Sequence, residues 1–248
     1  MAPDTKRRTS GSDRTSMPFS QQRPLVTAFG LTLLVAALAR VLPDEYVATG
    51  VALTFLLATY RYTIRSANVD TVRHYGLSLG GLLEPVALSV RRMGAETSSA
   101  IGWAALMCLL TFAPFWLGFL WWWHPKHDFS MVSWSSVGSD VLGQLLVVAL
   151  PEEAFYRGYL QTSLEDKWPL RWRVFGAEVG PGWLMSSAVF ALGHLLTDPD
   201  PSRLGVFFPA LAFGWLRQRT GGIGAGVCFH AACNLFASIL GQSYGLWR

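Results

Sequence analysis

Apolar runs long enough to cross a bilayer follow one another along most of this chain, and that leaves it few ways to fold. Of its 248 residues, 51% are hydrophobic and 15% charged, against about 25% charged in soluble domains. The pattern predicts an all-α, polytopic membrane helix bundle of a single domain, since spanning helices consume nearly all the length. Against that background the segment Pro151-Glu152-Glu153-Ala154-Phe155-Tyr156-Arg157-Gly158 stands out, because it closes an apolar run from Val141 to Leu150. Three charged residues at membrane depth cost roughly 8 kcal/mol before any pairing is counted. A chain that carries such a cost uses it.

The runs divide the chain. Residues 1 to 24 are polar and basic without apolar periodicity and read as a disordered tail, followed by a transmembrane domain over residues 25–245. No cleavable signal peptide is evident, and the run from Leu25 to Leu42 is expected to be a retained helix. Further spans are predicted at about Tyr46 to Tyr62, Ser99 to Trp123, Asp140 to Leu160, Pro181 to Leu196, Leu204 to Arg217 and Gly222 to Gln242. That makes seven, or eight if residues 77 to 90 insert; Gly80-Gly81 and Glu84-Pro85 there favour an interfacial or re-entrant segment. Trp121-Trp122-Trp123 has the place of an aromatic belt.

Basic residues set the expected orientation. The tail, the segment from Arg61 to Arg92, the group Lys167, Arg171 and Arg173, and the pair Arg217 and Arg219 fall on one side of seven alternating spans. That side is predicted to be cytoplasmic, with the N-terminus, which suits a multi-pass protein of a bacterial inner membrane. The net charge of +4 is dispersed along these segments, so nucleic acid is not an expected partner. Cys108, Cys228 and Cys233 lie within apolar runs as small buried thiols. His74, His124 and His127 fall in loops or at interfaces and read as surface residues.

The chemistry concentrates in three places. On a helix Glu153 and Arg157 are neighbours on one face, with Glu152 turned about 100° away. Arg157 can then neutralise Glu153 while Glu152 stays free, and a carboxylate free in a partly wetted, low-dielectric cavity suits a general base. The plainer alternative is an ion pair between helices served by both glutamates. Phe190 and His194 share a helix face, the ring fixing the imidazole. His230 and Asn234 also point the same way, a cradle for a developing oxyanion or, alternatively, polar glue between helices. Pro151 removes a helix hydrogen bond beside the glutamates and is expected to kink the helix there. If the three places form one site, Glu152, His194, His230 and Asn234 converge on a water-sized cavity.

Together, Glu152-Glu153-x-x-x-Arg157, Phe190-x-x-x-His194 and His230-x-x-x-Asn234 resemble the CPBP family of intramembrane proteases, which includes the CAAX prenyl endopeptidases and bacteriocin-processing proteins. The resemblance covers about residues 140–240. It implies a membrane bundle enclosing a catalytic cavity and an endopeptidase that cuts a membrane-associated, lipidated or C-terminal-signal substrate, the myxosortase-like bacterial branch being compatible. Carried over, Glu152 with His194 activates water, His230 and Asn234 stabilise the oxyanion, and Glu153, Arg157 and Phe190 support the site. No cofactor is favoured. Zinc held by Glu152, His194 and His230 is the alternative, disfavoured because the sequence has no His-Glu-x-x-His pair. Two other readings stand beside the protease: a non-catalytic immunity or scaffold protein of the same fold, and a transporter with a proton relay, against which the lack of an inverted repeat counts.

Overall fold

A computed structural model describes residues 23–65, 68–132, 138, 140–169 and 171–246; the expected tail up to residue 22 lies outside them. Helix α1 is Pro24–Val41, α2 is Asp44–Thr59 with a π-helical extension Tyr60–Ile64, α3 is Val69–His74 and α4 is Val90–Trp123. Helix α5 runs continuously over residues 143–167, followed by α6 (Pro181–Thr197), α7 (Phe207–Thr220) and α8 (Gly224–Ser243). The fold is that of an all-α membrane protein. Among the described residues four helices, α1, α2 with its extension, α4 and α8, are long and apolar enough to cross a bilayer.

The bundle is ordered inside out relative to a soluble protein. Leu33, Leu34, Leu53, Leu57, Leu109 and Leu117 project outwards, as expected where lipid replaces water around a protein. Buried at the centre are Glu153, Arg157, Gln161, Ser186, Ser187 and His230. Helix α5 is the axis. Every residue from Ala154 to Gln161 is buried, and α1, α2, α6, α7 and α8 all pack against this helix. Such a helix can be polar because its neighbours, not lipid, solvate it.

Helix α5 departs from the expected kink. It passes through Pro151 unbroken, π-helical over Gly143–Ala149, α-helical over Leu150–Glu153, and π-helical again over Ala154–Gln161. The Leu150 N–H reaches back to the Leu145 carbonyl, five residues away, so wider turns take up the disruption that a proline brings to an α-helical ladder. The helix also continues α-helically to Lys167, past the predicted end of the span at Leu160.

Close approach of α5 and α6 depends on Gly182. A Cβ there would lie 2.7 Å from the Gln161 carbonyl oxygen and 2.8 Å from the Glu165 nitrogen, both backbone atoms that cannot step aside. Gly182→Ala is therefore expected to destabilise the bundle by about 1–3 kcal/mol, read as a lower thermal midpoint in detergent.

Residues 77–90 form no spanning helix. They contain a 3-10 turn, Leu79–Gly81, in which Gly80 and Gly81 take φ of 74° and 96°, values that only glycine adopts without strain. The segment is tied to α4 through Glu84, whose carboxylate accepts from Arg92 at 2.7 Å, Arg73 at 2.9 Å and Ser78 at 2.7 Å. Hydrogen bonds from Arg92 and then Arg73 hold the Glu84 carboxyl well below the usual carboxylate range. Because the folded-state value is depressed, this contribution is full above the unfolded value of about 4.3 and fades as pH falls towards the folded one. Glu84→Gln is expected to flatten the acid side of the stability profile, measured as thermal midpoint against pH.

A hairpin between α5 and α6 has no counterpart in the sequence reading. Strands β1 (Trp172–Val174) and β2 (Ala177–Val179) pair antiparallel, with Trp172 opposite Val179. Phe175 and Gly176 at the turn have φ of 44° and 80°, the two positive values of a type I′ connection. The Trp215 indole donates to the Val174 carbonyl at 2.8 Å and pins the hairpin to α7.

Candidate active site

The adjacent glutamates on α5 face different neighbours, as the rotation between consecutive helical residues requires. Glu153 turns towards α8 and is fully buried. Its Oε1 lies 2.9 Å from His230 Nδ1, and its Oε2 lies 3.4 Å from Arg157 Nε. Gly226 makes room for it, since a Cβ there would stand 3.1 Å from Oε2. Glu152 turns the other way, its side chain 13% exposed, with Oε2 3.8 Å from His230 Nε2. His230 thus lies between the two carboxylates.

Aromatic rings wall this polar core. The Phe213 ring stacks on the His230 imidazole at 4.7 Å with the planes 13° apart, and Phe190 meets it edge-on at 5.8 Å. The Arg157 guanidinium lies 4.5 Å from the Phe190 ring centre and 5.2 Å from that of Phe213, and its Nη2 donates to the Ala210 carbonyl at 3.0 Å. A fully buried arginine is thereby held by one carboxylate, one carbonyl and two ring faces.

On the other side of Glu152 lies a cavity of about 280 Å³. Glu152, Tyr156 and His194 contribute its polar wall. Thr32 and Val35 of α1, Ala48, Val51 and Phe55 of α2, and Val147 and Val148 of α5 contribute most of the rest. Thr197, Asp198 and Arg203 stand at its rim, where Arg203 pairs with Asp198 at 2.6 Å. The Phe190 carbonyl lies 3.0 Å from His194 Nδ1. A carbonyl only accepts, so Nδ1 carries the hydrogen and, in the neutral ring, Nε2 is the acceptor.

The structure therefore gathers Glu152, Glu153, Arg157, Phe190 and His230 around one buried centre, with His194 across the cavity wall that Glu152 shares. Asn234 stands apart from the residues lining this cavity. It is half-buried on α8, and its amide nitrogen donates to Gln144 Oε1 at 2.9 Å. Gln144, Tyr156 and Phe213 are absent from the motif reading. Tyr156 follows Glu152 by four residues, and Gln144 is a lone amide in an apolar run, so both left a trace in the sequence; the stacking of Phe213 on His230 left none.

Glu152, His194 and His230 do not fit a metal as they stand. Among the described residues no group of three or more His, Cys, Asp or Glu side chains is gathered closely enough to hold an ion.

No curated protein and no solved structure matches the chain. Residues 134–236 do match a family, the one described as Rce1-like, type II CAAX prenyl endopeptidase. The match takes in the α5 glutamates, Arg157, Phe190, His194, His230 and Asn234. The matched segment, 103 of the 248 residues, builds most of the buried centre and is similar to the Rce1-like domain of the CAAX prenyl endopeptidases.

Proposed function

We propose that this protein is an intramembrane endopeptidase in which Glu152 activates a water molecule to hydrolyse a peptide bond of a membrane-associated protein. The observation that carries the reading is the division of labour between the glutamates. Glu153 is fully buried and ion-paired with Arg157 and His230, whereas Glu152 is 13% exposed and lines the cavity with His194.

In this reading a water sits between the Glu152 carboxylate and His194 Nε2. Glu152 takes one proton as the water oxygen bonds to the scissile carbonyl carbon, and the carbonyl electron pair moves onto oxygen. Collapse of that tetrahedral centre breaks the carbon–nitrogen bond, and the proton held by Glu152 passes to the leaving amine. Glu153 fixes the ring of His230 through Nδ1, which keeps Nε2 aimed towards the reacting centre. Asn234 takes part in the oxyanion cradle by turning its amide away from Gln144. Glu153, Arg157 and Phe190 position these groups and do not touch the substrate. The substrate segment is apolar, in keeping with the valines and Phe55 of the cavity wall; lipidated peptides and C-terminal signals are the classes to try.

Purified protein in detergent is expected to cut such a peptide, lipidated or merely apolar, in repeated turnover. Failure across both classes, with folded protein confirmed by its thermal transition, overturns the reading and favours a non-catalytic role.

A further inference from the structure

The cavity runs from the middle of the bundle towards one end of it. Helix α1 contributes Thr32 and Val35 from its middle, α2 contributes Ala48 and Val51 from its first half and Phe55 beyond it, α5 contributes Val147, Val148, Glu152 and Tyr156, and α6 contributes Gly193 to Thr197 from its last turns. The end it runs towards is the one where α1 finishes, α2 begins and α6 finishes. At that end Arg40 of α1 donates to the Leu196 carbonyl of α6 at 2.7 Å, and the half-exposed pair Asp198 and Arg203 stands on the rim of the cavity.

The opposite end contributes nothing to the cavity rim and is basic. His74 pairs with Asp166 at 2.8 Å, and Arg217 donates to the His74 carbonyl at 2.6 Å, which brings the ends of α3, α5 and α7 together. Among the described residues eleven lysines and arginines lie at or beyond this end, from Arg23 through Arg92 and Lys167 to Arg219, against three, Arg40, Lys126 and Arg203, at the cavity end. Short connections rich in Lys and Arg stay in the cytoplasm.

We propose that the cavity opens to the non-cytoplasmic face of the membrane, so that the substrate is an apolar anchor or tail of an exported protein, presented from outside. The part of this that names a substrate rests on the protease reading; the direction of access does not. The cavity wall runs from Glu152, within α5, to Asp198, just past the end of α6. A segment already translocated reaches Glu152 along this wall without crossing the basic face. A peptide approaching from the cytoplasm meets the packed junction of α3, α5 and α7, where Arg217 and Glu165 are buried.

Cysteine accessibility tests the direction without any assay of activity. Single cysteines are placed at the rim, Arg203→Cys and Asp200→Cys, and at the hairpin, Phe175→Cys, where the native side chain is 90% exposed. Wild-type chain, with its half-buried Cys108, Cys228 and Cys233, gives the background. Intact cells expressing the full chain receive a charged, membrane-impermeant maleimide; a permeant maleimide shows which variants are folded and labelled at all. The expected result is labelling at both rim positions in intact cells, and at Phe175→Cys after permeabilisation alone. Labelling of the hairpin and not the rim, of both ends, or of neither in intact cells overturns the proposal. Loss of peptide cleavage in detergent with the labelling pattern intact sinks the protease reading instead. In spheroplasts co-expressing an outward-anchored substrate, the adduct at position 203 is further expected to stop its processing, and continued processing overturns the assigned route.

Discussion

Glu152→Gln is expected to abolish turnover while the protein folds, extracts and melts like the wild type. The amide keeps the shape of the side chain in the cavity wall but cannot take a proton from water, so the loss falls on kcat; removing a general base costs about 10²- to 10⁴-fold. Stability is spared because Glu152 is not part of the pair that Arg157 neutralises, and its Oε2 has no hydrogen-bond partner to lose among the described residues. Glu152→Ala behaves the same way, well expressed and inactive. Chelators are expected to leave the rate unchanged. Activity retained by Glu152→Ala removes it from the reaction, and stoichiometric zinc that is lost and regained together with activity establishes the metalloprotease alternative.

Arg157→Ala has the opposite signature, a large loss of stability. The guanidinium is fully buried against the fully buried Glu153, and stripping one partner from such a pair costs about 3–5 kcal/mol because the other charge stays behind without compensation. It also empties the space between the Phe190 and Phe213 rings. Glu153→Ala is expected to cost a similar amount, and it frees His230 Nδ1, so surviving protein is slow as well as unstable. Removing both partners costs less than the sum of the single losses, since no lone charge remains. Yield and thermal midpoint of the two single variants and the double, beside Glu152→Ala, decide the matter. A Glu153→Ala protein that is fully stable yet dead exchanges the roles assigned to the two glutamates.

Much of the architecture was legible because bilayer physics writes itself into composition. The runs at Leu25, Tyr46, Ser99 and Gly222 became α1, α2, α4 and α8, differing mainly at their ends. Helix α4 starts nine residues earlier than its apolar run, because the Ser89 side chain caps it and Arg92 pairs with Glu96 four residues on; hydropathy sees neither. The hairpin at Phe175 was missed for a related reason. Its strands are three residues each, too short for alternation to register, and the positive φ at Phe175 falls on a residue type that does not advertise it. Proline geometry predicts a kink at Pro151, but the packed environment of α5 holds the helix together through π turns.

The site divides along the same line. Residues four apart on one helix are neighbours by backbone geometry alone, so Glu153 beside Arg157 and Phe190 beside His194 could be placed from spacing. The pairing of Glu153 with His230, 77 residues away, could not, and neither could the stacking of Phe213 on that imidazole or the attachment of Asn234 to Gln144. The sequence by itself determined a membrane bundle, its expected orientation and the residues at which charge is tolerated, because each follows from local transfer energies and helical periodicity. Only the tertiary structure decided that Glu153 also meets His230 and that Glu152 faces the cavity. That choice depends on which helices pack against each side of α5, and apolar helix faces carry too little directional information in sequence to specify their neighbours.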